Sequence, residues 1–336
     1  MGFKLSNSAF NEYLISLKEK YKVYAPVTLK GKGTFSDTDS IRYSEVYSIE
    51  EMTLDKKSHF SFKELVLPIT QTLFYFTEDS WIEPKIEEKE ILIFLRSCDL
   101  HGIRPIDQIY LNNGYEDPYY KALREKIKFV LIGCGESFEN CFCASMGTNK
   151  SFNYHMALNY KNEEVCIDIK DEDLLELFKG IDFLEEKDVS PNYVESNEIS
   201  VKVPDNLDQR ILNSKVWNEY SSRCIACGRC NFVCPTCTCF TMQDIFYKDN
   251  PKAGERRRVW ASCHIDGFTT MAGGHEFRKD KGEKMRYKVM HKVYDFKKKF
   301  GYQMCVGCGR CEDICPEYIS FSNCVNKLNE AMKEVE

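Results

Sequence analysis

Long apolar runs are missing from this chain: no stretch of about 18 apolar residues occurs in 336, which argues against a membrane span. The start, M-G-F-K-L-S-N-S, has no apolar stretch ending in a small-residue cleavage site, so export is not expected and a cytoplasmic location is. It matches a loose M-G-x-x-x-S acylation pattern, but the start of an amphipathic helix accounts for it more simply. A basic excess is also lacking. Lys and Arg number 46 against 52 Asp and Glu, for a formal charge of -6, which makes nucleic acid a poor partner. The glycine pair Gly31-Lys32-Gly33 is a turn signal only. No dinucleotide fingerprint, phosphate-loop lysine, nucleophile elbow or cofactor lysine occurs, so no substrate-transforming site is visible.

Cysteine, by contrast, is abundant, with 17 in the chain. Two runs share one spacing, C-x2-C-x2-C-x3-C-P: Cys224, Cys227, Cys230, Cys234 with Pro235, and Cys305, Cys308, Cys311, Cys315 with Pro316. Three close thiolates suit one [4Fe-4S] cluster, and the fourth, three residues on, suits the other. The assignment is therefore crossed, with Cys224, Cys227, Cys230 and Cys315 on one cluster and Cys305, Cys308, Cys311 and Cys234 on its neighbour. Structural zinc prefers two separated C-x2-C pairs and fits this pattern poorly. The tight spacing and odd total disfavour disulfides, and the compartment should be reducing.

Four more cysteines, Cys98, Cys134, Cys141 and Cys143, come from two strand ends and one loop. They suffice for a third [4Fe-4S] cluster or a zinc ion, or are free thiols in a packed domain; spacing leaves the three open. Asp99 is read as a helix N-cap. Cys237 and Cys239 should line the first cluster, Cys166 should be a buried small hydrophobe, and Cys263-His264, His275 and His291 are read as hydrogen-bonding groups.

The expected architecture is an α/β (or α+β) domain over residues 1–205, then a mainly helical two-[4Fe-4S] ferredoxin-like domain over 206–336 with a long insertion, 235–304. The apolar runs Ile91–Leu95 and Phe129–Ile132 read as strands buried on both faces, each followed by a cysteine. An N-terminal helix is expected over 3–20, an exposed strand over 41–50, a bend at Pro68 and a strand over Val165–Ile169. A short helix is expected over Asp171–Phe178, a strand within 194–204, a helix over Leu207–Tyr220, and helical spacing over Phe240–Phe246. Between Lys252 and Lys299 stand 14 Lys or Arg against 6 Asp or Glu. That reversal is read as a solvated face that also compensates anionic clusters, or else as a dock for an acidic partner.

The motifs R-S-C-D-L-H-G-I at 96–103, D-P-Y-Y at 117–120, E-N-C-F-C-A-S-M-G-T at 139–148, C-P-T-C-T-C at 234–239 and A-G-G-H-E-F-R at 272–278, with the last cysteine run, span most of the sequence. On them, nearly the whole chain resembles the A subunit of anaerobic sulfite reductase. The resemblance implies a non-catalytic electron-transfer subunit of an NADH-dependent complex. The implied partners are a flavin- and NADH-binding subunit and a sirohaem-containing catalytic subunit that reduces sulfite. The β subunit of sulfhydrogenases shares much of the pattern, including the cysteines at 98, 134, 141 and 143, which favours a third cluster and gives a hydrogenase-type alternative. An iron-sulfur redox sensor is the reading from a different class. Ser97 stands where the family commonly has proline, a change confined to the loop.

Overall fold

The computed structural model describes residues 1–34, 37–85 and 88–335. The chain opens with a strand, β1 (Gly2–Leu5), and not with the helix expected from residue 3. Phe3 and Leu5 alternate into the core while residues 2–5 pair antiparallel with 165–168, so the first residues are recruited to a sheet. Helix α1 (Asn7–Lys20) begins only after Ser6, whose Oγ accepts the Ala9 N–H at 3.1 Å. Then come β2 (Tyr21–Leu29), β3 (Ser40–Glu45), α2 (Lys63–Val66), β4 (Thr70–Phe76), β5 (Trp81–Ile82), β6 (Glu90–Leu95), α3 (Ser97–Tyr110) and α4 (Pro118–Arg124). They are followed by β7 (Ile127–Ile132), β8 (Met156–Lys161), β9 (Glu164–Ile169), α5 (Glu172–Phe178) and β10 (Glu185–Glu186).

Eight strands form one mixed sheet in the order β10-β1-β9-β8-β7-β6-β2-β3, with β2, β6, β7 and β8 parallel. The apolar runs of β6 and β7 occupy its middle. Leu92, Phe94, Val130 and Ile132 join the core under α1, while Ile93, Leu95, Phe129 and Leu131 join the core under α3. A strand covered on both faces needs apolar residues at every position, and each such side chain contributes roughly 1.5–3 kcal/mol. The bend falls at Pro68, between α2 and β4. The strand expected over 41–50 stops at Glu45, and Ile41 and Tyr43 are buried, not exposed.

The C-terminal region contains α6 (Asn218–Arg223), α7 (Arg229–Phe232), β11 (Phe240–Tyr247), β12 (Asn250–Trp260), α8 (Lys281–Met290), α9 (Phe296–Phe300), α10 (Arg310–Asp313) and α11 (Phe321–Val335). It is helical around the two cysteine runs, with α8 passing into α9 through a wider turn at His291–Asp295. Three expectations are corrected here. Phe240–Phe246 lies in a strand, because it pairs with β12, which pairs in turn with β4 to give a second sheet, β11-β12-β4-β5. Residues 194–204 form no strand: the Val201 and Lys202 N–H groups are taken by the side chains of Ser145 and Asn326 at 3.0 and 2.9 Å. The helix expected over 207–220 is broken into short turns at 209–213 and 215–217, each begun by a side-chain cap, Asp208 and Ser214, before α6 starts. Among the described residues no helix is long and apolar enough to cross a membrane.

Candidate iron-sulfur centre

The first cysteine run sits in a loop that leads into α7, and the second in a loop that leads into α10. Gly228 and Gly309 immediately precede these helices, with φ of 75° and 74°. A side chain at Gly309 would bring its Cβ to 2.3 Å from the Asn140 carbonyl oxygen, so glycine is required there by space as well as by backbone conformation. The runs differ two residues earlier, where Gly307 (φ 64°) is matched by Ala226 (φ 58°), a strained position for an L residue. Strain is tolerated where it aims a donor: the Ala226 N–H points at Cys224 Sγ (3.4 Å), as the Ile319 N–H points at Cys315 Sγ (3.3 Å).

Two adjoining cavities result. Cys224, Cys227, Cys230 and Cys315 line one, and Cys234, Cys305, Cys308 and Cys311 line the other; Cys311 also borders the first. The fourth cysteine of each run is thus at the cavity of the opposite run.

Three buried lysines face these thiols. Lys288 borders both cavities, Lys292 borders the second, and Lys63 reaches the segment behind Cys234. All three are at most 5% exposed, and among the described residues none pairs with a carboxylate. Lys292 Nζ donates to Thr236 Oγ1 (2.5 Å), and Lys63 Nζ donates to the carbonyls of Asn231 (3.2 Å) and Cys237 (2.9 Å). Burial opposes the charge on Lys288, yet Cys230, Cys311 and Cys237 outweigh it and raise its pKa well above the ordinary value. Burying an ammonium costs several kcal/mol unless an anion compensates, so the donor set fits an anionic group held by thiolates. Lys284, Lys288 and Lys292 are spaced by four and lie buried on one helical side; Lys284 pairs with Asp266. The basic interval is therefore not simply a solvated face. That spacing was the available signal, and the sequence reading missed it.

The loop that carries Cys141 and Cys143 lies against the second cavity, and Cys98 and Cys134 lie near it. Cys98 is in the first turn of α3, after β6; Cys134 follows β7; Cys141 and Cys143 are buried in the next loop. Each of the four lies within electrostatic reach of another of them, Cys98 with Cys143 and Cys134 with Cys141 and Cys143. Burial pushes all four thiols up, Cys143 to about 11. Cys141 Sγ approaches the Cys308 carbonyl at 3.6 Å, the Phe142 N–H donates to the Gly307 carbonyl at 2.8 Å, and Lys57 Nζ donates to the Cys308 carbonyl at 3.2 Å. Among the described residues no group of three or more His, Cys, Asp or Glu is drawn together to hold a single metal ion.

Asp99 is not an N-cap. It lies inside the first turn of α3, fully buried, and accepts both Arg310 Nη1 and Nη2, at 2.6 and 2.8 Å. Arg310, from the second cysteine run, also donates to the Ser58 carbonyl and hydroxyl, at 2.8 and 2.9 Å, so one ion pair ties the Cys98 turn to the Cys308 loop. Of the remaining cysteines, Cys166 is only partly buried in β9, Cys324 is buried in α11, and Cys237 lies within electrostatic reach of Cys234. Buried His264 brings Nδ1 to 3.9 Å from Cys224 Sγ, His291 stacks on Tyr287, and His275 meets the Phe277 ring edge-on.

Paired cysteine runs around adjoining cavities define the class, an iron-sulfur electron-transfer protein of the dicluster ferredoxin type. Consistent with this, the family model for a 4Fe-4S dicluster domain matches residues 223–319. Over 98% of its length the chain is 30% identical to the sulfhydrogenase 2 subunit beta of Pyrococcus furiosus, 98% of which is covered. The chain belongs to the sulfhydrogenase beta-subunit family.

Proposed function

We propose that this chain is the electron-relay subunit of a multisubunit oxidoreductase of the sulfhydrogenase kind and carries no substrate-transforming site of its own. The similarity to a sulfhydrogenase beta subunit supports this alternative better than the sulfite-reductase reading that the motifs suggested. The observation that carries the relay is the pair of adjoining thiol-lined cavities bordered by buried Lys288 and Lys292, neither of which, among the described residues, pairs with a carboxylate. Cys224, Cys227, Cys230 and Cys315 would hold one [4Fe-4S] cluster, and Cys234, Cys305, Cys308 and Cys311 the second. Cys98, Cys134, Cys141 and Cys143 would hold a third. When bound, such clusters supply one-electron oxidation and reduction. The chain's own part is to bury the thiolates, aim backbone N–H groups at sulfur and place Lys288 and Lys292 so that added negative charge is stabilised. Cys227 is exposed and Cys134 only partly buried, so thiols of two of the sets lie near the surface.

Iron and acid-labile sulfide per anaerobically purified chain test this. About twelve irons are expected, falling toward eight in Cys98→Ser; eight irons in both would defeat the third site. Anaerobic copurification then identifies the partners. A nickel-containing large subunit with a flavoprotein is expected, whereas a sirohaem protein would restore the sulfite-reductase reading.

A further inference from the structure

Among the cysteines outside the three sets, two are carried to one end of the β11–β12 ribbon. Cys239, at the end of C-P-T-C-T-C, and Cys263, just past β12, are brought together where β11 and β12 meet, and the Ala261 N–H donates to the Cys239 carbonyl at 2.9 Å. That pairing sets Ala261 opposite Cys239 and carries Cys263, two residues further on, to the same end of the ribbon, where the two thiols are within electrostatic reach of each other. Cys263 is 6% exposed, and the Asn231 amide donates to its Sγ at 3.0 Å. The same Asn231 presents Oδ1 to Cys230 Sγ at 3.7 Å, so one side chain bridges the pair to a thiol of the first cavity. Cys239 differs from its partner in access: it lines an open cleft of about 430 Å³ with Tyr287, His291 and Phe296. Buried Lys292 and Lys63 are both within electrostatic reach of it, which favours a thiolate there.

We propose that Cys239 and Cys263 form a redox-active dithiol, a two-electron centre appended to the relay and reached from the cleft by small molecules containing an S–S bond. Oxidation proceeds by thiol-disulfide exchange. The Cys239 thiolate attacks one sulfur of the incoming S–S bond and releases one thiolate. Cys263, after losing its proton, then attacks the mixed disulfide, releasing the second thiolate and leaving Cys239–S–S–Cys263. In the reverse direction a cluster held by Cys224, Cys227, Cys230 and Cys315 would supply the disulfide with two electrons, one at a time. The S–S bond breaks, and each sulfur takes one proton. The division of labour follows from burial: the accessible thiol meets the oxidant, and the enclosed one resolves the mixed disulfide. Only the source of electrons rests on the relay reading.

The test uses the full iron-loaded chain, anaerobically equilibrated in graded mixtures of oxidised and reduced dithiothreitol, quenched, alkylated and digested for mass spectrometry. Cys239 and Cys263 should escape alkylation together, in one cross-linked peptide, while Cys263→Ser and Cys239→Ser each leave the remaining thiol reactive at every ratio and retain the wild-type iron content. Complete alkylation of both wild-type thiols throughout would overturn the pair. Titration with reduced methyl viologen should then show the disulfide form taking up two more electrons per chain than the dithiol form or than Cys263→Ser. A disulfide that forms without adding those electrons overturns the coupling. Absence of iron would sink the relay reading by itself, while the thiol titration would still decide the pair.

Discussion

The Asp99–Arg310 pair offers the most direct test of how the two halves of the chain are held together. Both side chains are essentially fully buried, and the pair is bidentate, at 2.6 and 2.8 Å. Removing one partner strands a buried charge, a change that costs about 3–5 kcal/mol, whereas replacing both by apolar side chains of similar volume is close to neutral. Arg310→Met and Asp99→Leu should therefore each lower stability by about 3–5 kcal/mol, and the double variant should recover at least about 2 kcal/mol of the summed loss. Because folded proteins are stable by only about 5–15 kcal/mol, either single change consumes a large share. The assay is anaerobic urea unfolding followed by circular dichroism, with iron content measured in parallel. Iron should fall in both single variants, since the pair joins the Cys98 turn to the Cys308 loop. Additive costs, or single costs below about 1 kcal/mol, would refute the argument that this is a desolvated, mutually dependent pair.

Other outcomes follow from the same geometry. Lys288→Met removes a buried positive charge that borders both cavities; at an effective dielectric of about 20 its interaction with an added electron is about 2–3 kcal/mol, so a cluster potential should fall by roughly 100 mV in an anaerobic spectroelectrochemical titration. No shift would show that the charge is otherwise compensated. Ala226→Gly relieves a φ of 58° and should stabilise the chain by about 0.5–1 kcal/mol, whereas Gly309→Ala, meeting Asn140, should destabilise it; urea midpoints report both. His155 accepts the Phe129 N–H at 3.0 Å, and burial lowers its pKa below 6.5. The unfolded chain takes up a proton below that pH which the folded chain resists, so stability should fall as pH drops from 6.5, and His155→Gln should flatten that slope.

How much of this was legible follows from the range of the interactions. Runs of cysteine at fixed spacing carry their chemistry locally, and the continuous apolar β6 and β7 announce a sheet covered on both faces, so the dicluster region and the middle of the large sheet were readable. Phe240–Phe246 was not, because its strand state depends on β12 and, through β12, on β4, whose residues 70–76 lie far back in the chain. Asp99 was misassigned for a similar reason: its partner is 211 residues away. The lysine row was visible as a spacing of four, but charge alone does not say which way a helix turns, and the buried thiols opposite it decide that.

The lysine row also has a consequence for how the protein is made. An iron-free chain would have to bury Lys288 and Lys292 against neutral thiols, which burial disfavours by several kcal/mol per ammonium. α8 should therefore stay loosely docked until the metal arrives, and its docking would enclose the cofactor behind it. Cofactor loading would then be a folding step, with the amide protons of residues 281–290 gaining protection only in iron-replete chains.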